Sequence, residues 1–201
     1  MAKKIGITGG IGTGKTSACK LFEQLDIPVF YADYEAKWLM MNKAEIKSEL
    51  ISLFGEQAYL DGELNRGFLA QKIFSDATLK SKMEQIIHPA VALHFKEWAD
   101  KHKDKQYVLK EAALIYETRG EEKLDAVIVV HADEQIRIQR VMSRDQSTEA
   151  QVQDRIKNQM DQMIKVKKAD FLIENNDDLA ALKTAVEEAH HTILNWIKTT
   201  S

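Results

Sequence analysis

One short stretch of this 201-residue chain narrows its fold more than any other. Gly9-Gly10-Ile11-Gly12-Thr13-Gly14-Lys15-Thr16 sets glycine, four residues, glycine, lysine and a hydroxyl residue in fixed order, with Ser17 next. Before it, Lys3 to Thr8 reads as a short buried strand; after it, Ala18, Leu21, Phe22 and Leu25 recur at helical spacing. Strand, glycine-rich turn and helix is the context in which this pattern cradles phosphate. The turn points backbone N–H groups inward, and the helix N-terminus adds donors and partial positive charge. Lys15 supplies a compact cation near the transferred phosphoryl group, and the Thr16 hydroxyl can hold Mg²⁺. Gly9 to Ser17 is therefore the expected ATP-binding loop.

The helix ends at Asp26-Ile27-Pro28, and Val29-Phe30-Tyr31 reads as a second strand, completing a βαβ unit. Residues 36 to 100 then read almost entirely as helices, with Trp38, Leu39, Ile46, Leu50 and Phe54 on one stripe and a break from Gly55 through Gly62. Later helices carry Phe68, Leu69, Ile73 and Phe74, then Met83, Ile86 and Ile87. After His88-Pro89 comes the run Val91, Phe95, Trp98, with Pro89 expected in a helix's first turn, where its missing N–H costs nothing. Short apolar runs at Tyr107–Leu109, Ala126–His131 and Phe171–Glu174 complete five strands of the buried parallel kind. The chain closes on an amphipathic helix with Leu179, Leu182, Val186, Ala189, Ile193 and Trp196 inward.

Composition excludes several classes. Charged residues make up 29% but nearly cancel, at a formal −3, so no basic field of the kind nucleic-acid binding needs is present. A lone cysteine, Cys19, expected as buried packing, cannot form an intramolecular disulfide, and no run approaches the ~20 apolar residues of a membrane span. The expectation is a protein of the cytoplasm with no membrane partner; oligomeric state is not legible. A GTPase-type switch is disfavoured, because none of the nine glycines has Asp three positions earlier. Asn42-Lys43-Ala44-Glu45 imitates a base-reading motif with the wrong acid, in the wrong place.

Other candidates follow the loop. Asp33, just past the second strand, can orient or deprotonate an acceptor hydroxyl and help hold Mg²⁺, or cap the next helix; one residue can serve both roles. Four of the six arginines, Arg137, Arg140, Arg144 and Arg155, fall between the last two strands. Arg137, Arg140 and Arg144 share one helix face, suited either to clamping ATP phosphates or to pairing with Asp133, Glu134 and Asp145 in solvent. The polar stretch Ser143 to Asp154 suggests a mobile lid. His88 is either an acceptor contact or a structural turn residue.

Taken in order, these motifs make the chain resemble the dephospho-coenzyme A kinase family over nearly its whole length. Ile7 to Thr16 resembles the family's phosphate loop, and Tyr31-Ala32-Asp33 sits at its Asp-Ala-Asp element. Asp61-Gly62-Glu63-Leu64-Asn65-Arg66 is similar to a stretch of its acceptor-binding domain, and His88-Pro89 to its His-Pro. Leu114 to Glu117, Arg140 to Asp145, Gln159, Ala169 to Phe171 and Asn175-Asn176 also match in order. Tyr31 departs from the family's first acid, and Ala113 from its usual proline. The resemblance implies an α/β P-loop NTPase fold: a three-layer core with a five-stranded parallel sheet (residues 1–33, 101–116 and 166–201), a helical acceptor-binding insertion (34–100) and a helical lid (117–165). It implies Asp33 and Lys15 as catalytic groups. Gly9 to Ser17 with Arg140 and Arg144 would bind ATP, Thr16 and Asp33 would hold Mg²⁺, and Asp33, Arg66, His88 and Glu117 would contact dephospho-coenzyme A. The implied reaction is phosphorylation of that acceptor's 3′-hydroxyl, the last step of coenzyme A biosynthesis.

Overall fold

A computed structural model describes residues 1–200. It divides into two compact units, one built from Met1–Phe30 and the chain from Ala99 onward, the other from Tyr31–Trp98.

The first unit is organised on β1 (Lys3–Thr8), followed by α1 (Lys15–Gln24) and β2 (Val29–Tyr31). In the second unit come α2 (Ala32–Asn42), α3 (Ala44–Phe54), a 3₁₀ turn at Glu56–Ala58, the short strands β3 (Tyr59–Leu60) and β4 (Glu63–Leu64), α4 (Arg66–Ser75) and α5 (Ala77–Lys101). The chain returns with β5 (Tyr107–Glu111), a 3₁₀ turn at Gly120–Lys123, β6 (Ala126–His131), α6 (Glu134–Asp145), α7 (Glu149–Lys157), α8 (Gln162–Lys168), β7 (Phe171–Glu174) and α9 (Leu179–Thr200). The five long strands form one sheet in the order β2-β5-β1-β6-β7. β1 lies parallel to β5 and β6, and β6 parallel to β7. Ile5, Ile7, Leu109, Ile128 and Ile173 are fully or almost fully buried, as parallel strands covered on both faces require. The connection from β1 runs past β5 to β2, and the connection from β5 runs past β1 to β6, so the sheet order reverses between β1 and β5 and their carboxyl ends form the crevice where open α/β sheets bind ligands.

Several expectations change on contact with the structure. Residues 117–165 are not one appendage, because β6 inside that range is a sheet strand between β1 and β7. The third core strand runs past Leu109 to Glu111, which pairs in register with Ile7. α5 is a single 25-residue helix with Pro89 in its interior. Gln85, which loses its helical donor there, shares an exposed face with His88 and Pro89, so water can satisfy that carbonyl. Meanwhile Ile87, Val91 and Phe95, four apart, stay buried on one stripe and hold the helix together across the proline. The stripe read from Trp38 to Phe54 falls on two helices, broken at Lys43, whose extended backbone (φ −100°, ψ 113°) ends α2 and starts α3.

Within the break after Gly55 lies a hairpin that the glycines concealed. Tyr59 and Leu60 pair with Leu64 and Glu63, and the two linking residues, Asp61 and Gly62, have φ of 49° and 84°. Two positive φ values make the type I′ turn favoured by Asp-Gly in two-residue hairpins. On α9, Leu182, Val186, Ala189 and Ile193 are buried as expected. Leu179 is not: it stays 65% exposed at the helix start. Phe74 is exposed as well. Trp196 is half-buried, edge-on to Phe171 at 5.7 Å. No helix among the described residues is long and apolar enough to cross a membrane.

Candidate active site

The loop after β1 bends through Gly12 (φ 82°) and reaches α1 through Gly14 (φ 86°). A side chain on Gly12 would bring its Cβ to 2.6 Å from the Arg137 carbonyl oxygen, so glycine is needed there for both the backbone angle and the approach of α6. Gly14 caps α1 without a side-chain hydrogen bond, which leaves first-turn amides for a ligand.

The loop is held from behind by side chains remote in sequence. The Gly10 amide donates to Gln162 Oε1 at 2.9 Å, and Gln162 Nε2 donates on to the Val130 carbonyl at 3.0 Å, tying the loop to β6. The Ile11 amide donates to Gln159 Oε1 at 2.9 Å, while Arg137 Nε donates to the Ile11 carbonyl at 3.0 Å. Asn175 Nδ2, at the end of β7, donates to the Thr13 carbonyl at 2.8 Å. Such buried, directed bonds keep the cradle in shape before any phosphate arrives.

In front of the loop is a cavity of about 520 Å³. Every residue from Gly9 to Ser17 except Thr13 is on its wall, together with Arg140, Arg144, Gln159 and Ala113. Thr13 is fully buried, and both its hydroxyl (3.0 Å) and its amide (3.3 Å) donate to the Gly10 carbonyl, so it shapes the loop and does not face the cavity. Lys15 forms an ion pair with Glu111, the last residue of β5, and both side chains are nearly shielded from water. Cys19, one turn along α1, is buried, and burial pushes its thiol up to about 12, so it is packing as expected.

The three arginines of α6 have separate fates. Arg137 is buried behind the loop, so it is neither a clamp nor a solvated pair. Arg140 lines the cavity and is fixed by two carbonyls, Asn175 at 2.8 Å and Asp177 at 3.0 Å. Arg144 grips Asp145 through two bonds of 2.7 and 3.0 Å, and Arg155 of α7 reaches the same carboxylate at 2.8 Å. Those contacts, Arg144's first, hold the Asp145 carboxyl down to about 2. α6 and α7 pack through Ile138, Val141 and Val152, with Ile11 of the loop against the same cluster.

Glu117 is engaged away from the cavity wall. Its carboxylate pairs with Lys165 Nζ at 2.7 Å and accepts from the Met160 amide at 3.1 Å. Burial opposes its charge, yet the bonds from Lys165 and from backbone amides outweigh that and hold the carboxyl below its ordinary value. The remaining candidates belong to the other unit. Asp33 is exposed in the first turn of α2, whose cap is Tyr31, so it is not the N-cap residue. Arg66 is the exposed first residue of α4, entered through an Asn65 cap that accepts from the Phe68 amide at 3.2 Å. His88 is exposed in the middle of α5, neither a cap nor a turn residue.

Sequence reading gave no role to Glu111, Gln162 or Asn175. Each stands at a strand end or helix start, and the available signal was position after an apolar run, which does not say what a side chain will meet.

The chain matches the family model described as dephospho-CoA kinase over residues 3–181. It is 35% identical over 188 residues to a protein named dephospho-CoA kinase from Bacteroides fragilis, a match spanning 93% of this chain and 91% of that protein. A protein of the same name from Salinibacter ruber is 35% identical over 192 residues, spanning 94% and 96%. A crystal structure from Thermus thermophilus superposes with a TM-score of 0.84 at 31% identity, over 95% of this chain and 97% of that one. With a phosphate loop at the carboxyl end of β1 in a five-stranded parallel sheet, and with these relatives spanning nearly its whole length, the chain belongs to the dephospho-CoA kinase family.

Proposed function

We propose that the chain transfers the γ-phosphoryl group of ATP to the 3′-hydroxyl of dephospho-coenzyme A, giving coenzyme A and ADP, the last step of coenzyme A biosynthesis. The observation that carries this reading is the convergence of the loop, Lys15, Arg140 and Arg144 on one cavity in a chain of this family. Phosphoryl transfer passes through a loose transition state with charge spread over the equatorial oxygens, so fixed cations and amides supply most of the stabilisation. Lys15 and the loop amides take the β- and γ-phosphate oxygens. Until then Glu111 balances the Lys15 charge and aims the ammonium. Arg140 is preset by its two carbonyls, whereas Arg144 must share or release Asp145 to reach a phosphate, which assigns it to lid closure. The closing segment is α6 to α8, the part of residues 117–165 that follows β6.

Asp33, whose side chain makes no hydrogen bond or ion pair among the described residues, orients the acceptor hydroxyl and accepts its proton late in transfer. Arg66 and His88 contact the acceptor. Glu117 acts at one remove: its partner Lys165 also donates to the Ala113 carbonyl at 3.1 Å, and Ala113 lines the cavity. Mg²⁺ fits the residues present. Thr16 offers a hydroxyl on the cavity wall and Glu111 a buried carboxylate beside Lys15. Among the described residues no three His, Cys, Asp or Glu side chains form a protein cage, as suits a cation held chiefly by phosphates and water. Bound there, the ion would supply positive charge against the phosphate charge that develops in transfer.

ADP release tests the proposal, with dephospho-coenzyme A as acceptor, adenosine, AMP and no acceptor as controls, on wild type and Asp33→Asn. The expected result is turnover only with dephospho-coenzyme A, lost in the variant while ATP affinity is kept. Turnover with a different acceptor would move the assignment to that acceptor. Acceptor-independent behaviour of an ATP-binding protein would remove the kinase reading.

A further inference from the structure

One face of α2 is unusual for a helix in a folded unit. Asp33, Tyr34, Lys37 and Trp38 are all exposed, and Tyr34 and Trp38 keep 64% and 39% of their surface open. The other side of the helix buries Ala32, Leu39 and Met40 and so anchors it. Residues four apart lie one above the other, so Tyr34 and Trp38 form a column of two rings one turn tall. Clustered exposed aromatics, unlike scattered ones, mark binding surfaces.

Trp38 is also braced. The His94 ring of α5 stacks on the indole with centroids 5.6 Å apart and planes only 9° from parallel. His94 Nε2 in turn meets Glu35 Oε2 at 3.0 Å, so a carboxylate from α2 fixes the ring that fixes the indole. Locking a half-exposed indole costs side-chain freedom and is unnecessary for packing, but it lowers the cost of stacking a flat ligand on it. Position adds the second argument. Trp38 follows Asp33 by five residues, about 7.5 Å along the axis and about 140° around it, so a nucleoside that joins the two lies across the exposed face, over Lys37 and Tyr34. Lys37, one turn beyond Asp33 on the same exposed face, brings a cation suited to the phosphates such an acceptor carries.

We infer that Trp38, with Tyr34 above it and the His94–Glu35 brace beside it, is the platform on which the adenine of the acceptor stacks. Trp38 is thereby a specificity-determining residue for an adenine nucleoside acceptor whose hydroxyl lies at Asp33. This rests on the reading of Asp33 given above.

Two measurements test it on the full chain. In steady-state turnover, Trp38→Ala raises the KM for dephospho-coenzyme A about tenfold or more while the KM for ATP stays within about twofold, and Trp38→Phe, which keeps an aromatic face, restores most of the loss. The unchanged ATP constant shows that the variant is folded. In a fluorescence titration with a non-hydrolysable ATP analogue saturating the nucleotide cavity, dephospho-coenzyme A and adenosine both quench wild-type tryptophan emission, and the quench disappears in Trp38→Phe. An acceptor KM indifferent to Trp38→Ala, in a protein that phosphorylates dephospho-coenzyme A, overturns the platform and leaves the proposed function standing. So does a penalty seen with dephospho-coenzyme A but not in adenosine binding, because the platform would then read the rest of the acceptor. Trp38-dependent adenosine quenching in a protein that never phosphorylates dephospho-coenzyme A supports the platform and overturns the acceptor assignment instead.

Discussion

Lys165 has no exposed surface, and its ammonium meets two oxygens, the Glu117 carboxylate and the Ala113 carbonyl. A buried charge is tolerable only when paired and hydrogen-bonded, and removing one partner strands the other. Lys165→Met is therefore expected to cost about 3–5 kcal/mol, lowering Tm by roughly 2–4 °C per kcal/mol in a chain of this size. Adding Glu117→Gln should return part of that loss in a double-mutant cycle followed by thermal melts. The pH sign follows from Glu117, whose folded pKa lies below its ordinary 4.5. Its contribution is fully present above that value and is lost as pH falls through the lowered folded one, so the wild-type advantage over Glu117→Gln should shrink only in acid. Sequence order placed Glu117 among acceptor contacts by resemblance; it could not show Lys165, 48 residues away, because charge pairs between distant elements leave no local pattern. Cys19 was legible, since a free cysteine on the helix after the loop behaves as a small apolar side chain and is usually buried.

At the scale of elements, α5 shows where local rules yield to packing. A proline in a helix interior costs about 3 kcal/mol, which argues for a boundary at His88-Pro89. The helix continues because one missing bond faces water while Ile87, Val91 and Phe95 bury a single stripe across the proline. Pro89→Ala should then restore the bond to the Gln85 carbonyl and stabilise the protein by about 1–3 kcal/mol, seen as a higher Tm. A helix that instead melted at lower temperature would mean that the proline sets a bend the packing needs. The β3–β4 hairpin was missed for the opposite reason. Its Asp-Gly turn is a strong signal, but strands of two residues are too short to alternate. Helices α1, α9 and the sheet strands followed their apolar periodicity closely, except at ends such as Leu179, where a terminal turn need not touch the core.

At the scale of the whole molecule, binding ATP to the loop should raise the stability of the folded chain by mass action. At one hundred times Kd the gain is about 2.7 kcal/mol, a Tm increase of roughly 5–11 °C, and Lys15→Ala should abolish most of it. A shift that persists in Lys15→Ala would place the nucleotide away from the loop. The loop itself, its strand and its helix were determined by the sequence, because glycine spacing, a single lysine and apolar period are local properties that physics reads along the chain. The parallel α/β class was likewise legible in five short apolar runs, although β5 and β6, read as separated by a helix, are joined through only a 3₁₀ turn. Only tertiary structure decided that Glu111 would face Lys15, that Gln159, Gln162 and Asn175 would hold the loop from behind, and that Arg137, Arg140 and Arg144 would part company on one helix. Those outcomes depend on which strand lies beside which and on how α6 approaches Gly12. That information is carried by packing between residues up to 162 positions apart and by no pattern within any one of them.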